Sequence, residues 1–118
     1  MDKIITGHLG EITKKNPERK GWFIGHFIND NPDFKNDDFE VSYVEHPKGS
    51  IKPGMKAESS AKTLTILISG NYLVRFPGKK IVLSKPGDYL FYDACETDHA
   101  AEASEDSIVL TVRWPLKR

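Results

Sequence analysis

The run Thr63-Leu64-Thr65-Ile66-Leu67-Ile68-Ser69, stopped by Gly70-Asn71, constrains this chain most. Neighbouring side chains of a strand face opposite sides of a sheet, so Leu64, Ile66 and Ile68 share one wholly apolar face. Thr63, Thr65, Leu67 and Ser69 share the other, mixed face. Gly70-Asn71 reads as a tight hairpin turn, Pro77-Gly78 as another, and Pro86-Gly87 opens a third. Short alternating runs bounded by such turns are the signature of an all-β sandwich or barrel. Strands are expected near Gly7–Ile12, Trp22–Ile28, Phe39–Glu45, Thr63–Ser69, Asn71–Phe76, Lys79–Leu83, Tyr89–Tyr92, Thr97–Ala103 and Ser107–Arg113, with no long helical stripe and at most a short turn within Glu11–Lys20.

A mixed strand face suits the lumen of a barrel. The apolar face of Leu64, Ile66 and Ile68 then needs cover from outside, either from the N-terminal segment carrying Trp22, Phe23 and Phe27 or from a second subunit. A homodimer is expected on that ground.

The 118 residues fit one domain, and 38% hydrophobic with 29% charged residues suits a globular chain rather than a disordered one. Seventeen basic residues balance 17 acidic ones, so no global charge draws the chain to nucleic acid or an anionic membrane. No helix-turn-helix pattern or zinc-finger spacing is present either. The Met-Asp-Lys start lacks an apolar signal region, no apolar run approaches the ~20 residues that span a bilayer, and Cys95 has no intramolecular disulfide partner. A cytoplasmic protein without membrane contact is the expectation. Cys95 stands beside Asp93, Glu96 and Asp98, whose charges work against a reactive thiolate. The stretch Asn29 to Asp38 is dense in turn formers and carboxylates and reads as an exposed acidic loop, without the alternation and glycine of an EF-hand.

The second informative stretch is Gly87-Asp-Tyr-Leu-Phe-Tyr-Asp-Ala-Cys-Glu-Thr-Asp-His99: a Gly-Asp turn, a short aromatic strand, a tight turn, then a histidine opening another strand. Together with Gly70 it resembles the cupin superfamily, small jelly-roll barrels with two signature segments. The resemblance runs from about Phe39 to Trp114. It implies a single-domain cupin-type jelly-roll β-barrel over residues 1–118, in which 1–38 supply N-terminal strands and the acidic loop. The closing Glu105–Pro115 segment is similar to small bacterial cupins without an assigned function.

Counted back from Gly70, the first cupin segment puts Thr63 at the position of the family's glutamate ligand, and Glu58 and Lys56 at those of its two histidines. A lysine ammonium at a ligand position repels a divalent cation. In the second segment strict counting places Asp98 at the histidine position. Alternation instead groups His99 with the small residues Ala101 and Ala103, which suits a lumen, and leaves Asp98 with Ala100 and Glu102. The resemblance therefore implies His99, Glu58 and His46 as the ligands of any iron, manganese, nickel or zinc, an incomplete set from which no metal is expected.

Three functions follow as expectations. The first is a metal-poor barrel that binds a small polar or aromatic molecule among His99, Lys56, Glu58, Thr63, Tyr92 and His46, with Lys56 as a point charge for a carboxylate or phosphate. Arg75 and Arg113 join it if their strands turn them inward. The second is a cupin enzyme, an isomerase, epimerase, lyase or metal-dependent dioxygenase, in which His99 acts with Glu58 as general acid or base. The third is an interaction or regulatory module that works through the outer barrel face. His26 and His8 carry no functional expectation.

Overall fold

The computed structural model describes residues 2–55, 61–93 and 99–115, and among these nine strands make two antiparallel sheets. The wide sheet runs β1 (Trp22–Ile24), β2 (Glu40–His46), β9 (Ser107–Trp114), β4 (Lys62–Ser69), β7 (Tyr89–Asp93). The narrow sheet runs β3 (Ile51–Met55), β8 (His99–Ala103), β5 (Tyr72–Phe76), β6 (Lys79–Leu83). Their inner faces meet in one core: Leu67 and Val109 from the wide sheet pack with Tyr72, Val74, Leu83, Ala101 and Ala103 from the narrow one. This is a jelly-roll β-barrel: the alternating runs predict its all-β class, and the cupin resemblance implies its jelly-roll form.

The facing of β4 is the one its sequence dictates. Thr63, Thr65 and Leu67 are buried, Leu64 and Ile66 are half-buried, and Ile68 is exposed. Asp88 ties the sheets together where the chain passes from β6 to β7. Its carbonyl accepts the Leu67 N–H and the Gly87 N–H donates to the Leu67 carbonyl, both at 2.8 Å, which prolongs the β4–β7 ladder. The Asp88 carboxylate accepts the Lys85 and Ser84 N–H groups at 3.0 Å, and those bonds hold it below the usual carboxylate range.

Gly70-Asn71, expected as a hairpin turn, instead carries the chain from one sheet to the other, since β4 and β5 do not pair. Three elements also depart from the sequence expectation. Residues Leu9–Lys15 form a helix, α1, where a strand over Gly7–Ile12 is expected. The His8 ring nitrogen accepts the Gly10 N–H at 3.1 Å and so caps the helix, Glu11 and Lys14-Lys15 suit its two ends, and glycine at position 10 lets it lie close to Glu45 of β2. The N-terminal 38 residues thus supply one helix, a 3-10 turn (Pro17–Arg19) and one short strand, not a set of strands.

The second departure is β1, which ends at Ile24 instead of continuing to Ile28. Gly25 donates to the Phe34 carbonyl at 3.1 Å and accepts the Asn36 N–H at 3.2 Å, so its backbone bonds belong to the acidic loop and no neighbouring strand takes them. The third is β3, a strand containing Pro53-Gly54 where none is expected between Glu45 and Thr63. It is the edge strand of the narrow sheet, and its register with β8 shifts between Lys52 and Met55, which is where a proline and glycine are tolerated in a strand.

Candidate functional site

Residues paired across neighbouring strands share a face, so the registers define what points into the barrel. At one end the wide sheet contributes Thr63 of β4, opposite both Tyr92 of β7 and Arg113 of β9. The narrow sheet contributes His99 of β8 and Phe76 of β5. The His99 ring lies 5.4 Å from that of Phe76 and 5.5 Å from that of Tyr92, and Phe76 meets Tyr92 edge-on at 5.8 Å. The fold therefore brings together His99, Tyr92 and Thr63 of the expected site and adds Phe76. The arrangement packs two aromatic rings and an imidazole on one another, with the buried Thr63 hydroxyl opposite Tyr92.

His46 is elsewhere. Its ring lies 5.0 Å from that of Tyr72, which pairs with Ala103, four positions along β8 from His99. At the rise of a strand this separates the two histidines by roughly 13 Å. Burial, and then the nearby Lys52 charge, hold the His46 imidazole below its usual range. Burial pushes the Tyr72 phenol up to about 12, with Tyr92 adding to the effect. Outside His46 a cleft of about 330 Å³ opens among Glu45, Pro47, Ser69, Asp106, Ser107 and Ile108.

Between these ends lie cations that the sequence pattern hides. Lys52 pairs with buried Ala101, while its neighbour Ile51 pairs with Glu102 and is 69% exposed, so Lys52 takes the inner face of β3. Burial, then the charges of Arg113 and Lys20, hold its ammonium below the usual lysine range. The residue nevertheless stays accessible to water. Arg113 points inward as well: its guanidinium sits 4.5 Å over the Trp22 ring and donates to Glu40 at 3.2 Å. Arg75 turns outward and pairs with Glu102. Sequence reasoning misses Lys52, Trp22 and Glu40, and the signal that would have found Lys52 is the alternation Ser50-Ile51-Lys52 ahead of the misleading Pro53-Gly54.

Lys56 and Glu58, like Cys95 and Asp98, lie outside the described residues. The described part of the expected metal set does not fit a divalent cation. Thr63, at the position of the family's glutamate, is a buried neutral hydroxyl opposite a guanidinium, and His46 is at the other end of the lumen from His99. Among the described residues no three His, Cys, Asp or Glu side chains converge as metal ligands. No described helix is long and apolar enough to cross a membrane.

No protein-family model matches the sequence, and no curated protein does so significantly. Solved structures do match the fold. KdgF from a Halomonas species superimposes with a TM-score of 0.60 at 25% identity over 70% of this chain and 74% of that one. A cupin superfamily protein from Desulfitobacterium hafniense gives 0.59 at 21% identity, covering 68% and 70%. The DMSP lyase DddQ from Ruegeria pomeroyi gives 0.57 at 22% identity, covering 70% of this chain and 40% of its own.

Proposed function

We propose that this chain, a cupin by fold, binds a small polar or aromatic molecule in its lumen, at the end where His99, Tyr92 and Phe76 meet Thr63 and Arg113. The observation that carries this reading is the placement of the His99 imidazole against both Phe76 and Tyr92. Two aromatic walls bury a planar ligand, and the imidazole, phenol and hydroxyl fix its orientation. The lumen is built by strands, so it is largely preformed and little ordering opposes binding.

The test is a nuclear magnetic resonance screen of small polar and aromatic compounds against the protein with labelled His and aromatic side chains. Binders are expected to shift His99 and Tyr92 together and to lose that effect in His99→Ala, provided its spectrum stays folded. Binders that shift only Tyr89 and Phe91, on the outer face, would sink the lumen reading.

A second copy of the chain covers the outer face of the wide sheet in this reading. Leu64 and Ile66 pair with Phe91 and Tyr89, and with Val112 and Leu110, to make one uncharged surface. Tyr89 is 67%, Phe91 45% and Ile68 44% exposed, while α1 packs on β2 and β1 instead. A patch on the order of 500 Å² on each copy reaches the ~1,000 Å² total of a specific interface. The two-fold pairing of one such sheet face with itself is the simplest closed solution.

A further inference from the structure

We infer that the ligand of the lumen is an anion, a carboxylate or phosphate held by Lys52 and drawn in by Arg113, an inference that rests on the lumen reading and names its substrate class. The register places Lys52 on the inner face of β3, opposite Ala101, and Arg113 on the inner face of β9, opposite Glu40 and Thr63. Lys20 stands two residues before β1, held in a left-handed turn at φ 52° that directs the chain into the strand. β1 in turn places Trp22, opposite Ser42, beneath the Arg113 guanidinium. β3 and β9 thus each set a cation on the inner side of the barrel.

The charges do not cancel. Glu40 is engaged by Arg113 at 3.2 Å, and among the described residues neither Lys52 nor Lys20 forms an ion pair. Burial first, and then the charges of Arg113 and Lys20, hold the Lys52 ammonium below the usual lysine range. Like charges held together in a partly desolvated cleft raise the local concentration of anions and bind them more strongly than the same groups on an open surface. Arg113 is already committed to Glu40 and Trp22, so it steers, and Lys52 is the direct contact. A lysine is a point charge with three donors, which accepts a carboxylate or a phosphate alike. The rings of Phe76 and Tyr92 then take the uncharged remainder of the molecule.

Benzoate and benzyl alcohol separate this inference from the one beneath it, because they share a ring and differ in charge. Titrations at constant ionic strength follow the His99, Tyr92 and Trp22 resonances, with inorganic phosphate as a third probe. Benzoate is expected to bind at least tenfold more tightly than benzyl alcohol, phosphate to compete with it, Lys52→Met to abolish the difference and Lys52→Arg to retain it. Arg75→Met, on the outer face, is expected to change nothing. Equal binding of benzoate and benzyl alcohol at His99 and Tyr92 would overturn the anion site and leave the lumen reading standing. No shift at those rings with any of the three probes would overturn both. A benzoate preference that survives in Lys52→Met would remove Lys52 as the contact and overturn the inference.

Discussion

The hydroxyl of Ser107 takes the Asn71 N–H at 2.9 Å across the space that a side chain at position 70 would fill. Gly70, at φ 98°, turns the chain from β4 of the wide sheet to β5 of the narrow one, and a Cβ added there would run into the Ser107 hydroxyl and the Asp106 carbonyl. One glycine thus serves both the turn and the seam between the two sheets. Gly70→Ala is expected to cost about 2–3 kcal/mol, from left-handed backbone strain plus the displaced seam. Ser107→Ala, which leaves a half-buried N–H without its acceptor, is expected to cost about 1–3 kcal/mol. Urea unfolding of both variants checks the pair, and a Gly70→Ala protein as stable as wild type would show that the seam yields freely.

The stability of the barrel is expected to fall on the acid side through His46. Its folded-state affinity for a proton lies below the ordinary value of 6.5, because burial and Lys52 disfavour the imidazolium. Below pH ~6.5 the unfolded chain therefore binds a proton that the folded one resists, and stability declines as pH falls from neutrality. His46→Phe keeps the ring against Tyr72 and removes the proton site. Its stability between pH 7 and 5 is expected to be flatter than that of wild type in thermal melts at matched ionic strength.

Tyr72 acts at the other extreme. Its phenol is raised from 10.0 to about 12, so above pH 10 the unfolded chain releases a proton that the folded one keeps. Stability that is complete below pH 10 is expected to be lost progressively between pH 10 and about 12. An ultraviolet titration of the folded protein should show one tyrosine lagging furthest, beyond Tyr43, whose phenol burial and Glu45 also raise, and that furthest lag should vanish in Tyr72→Phe. A single common midpoint near pH 10 would contradict the burial of this phenol.

Phe91 and Tyr89 test the outer face. Light scattering at micromolar concentration is expected to give twice the chain mass, and Phe91→Glu, which sets a charge beside Trp114 and Leu64, is expected to give a monomer with its far-ultraviolet spectrum unchanged. A wild-type monomer would leave that face to another purpose.

Local chemistry by itself determined the all-β class, the presence of a turn at Gly70 and the inward and outward sides of β4, but not that this turn crosses between sheets instead of closing a hairpin. These follow from nearest neighbours: period-2 alternation needs no partner to be read, and a glycine before Asn71 turns the chain whatever surrounds it. The same alternation groups His99 with Ala101 and Ala103. Tertiary structure alone decided the rest. Pro53-Gly54 sits in a strand only because an edge strand has no second partner to disappoint, and residues Leu9–Lys15 are helical because they pack on β2. That Lys52 and Arg113 both take the inner face of their strands, and that His46 and His99 are parted by the length of a strand, are matters of register between segments far apart in sequence. Register is settled by the packing of whole sheets, and no local pattern encodes it.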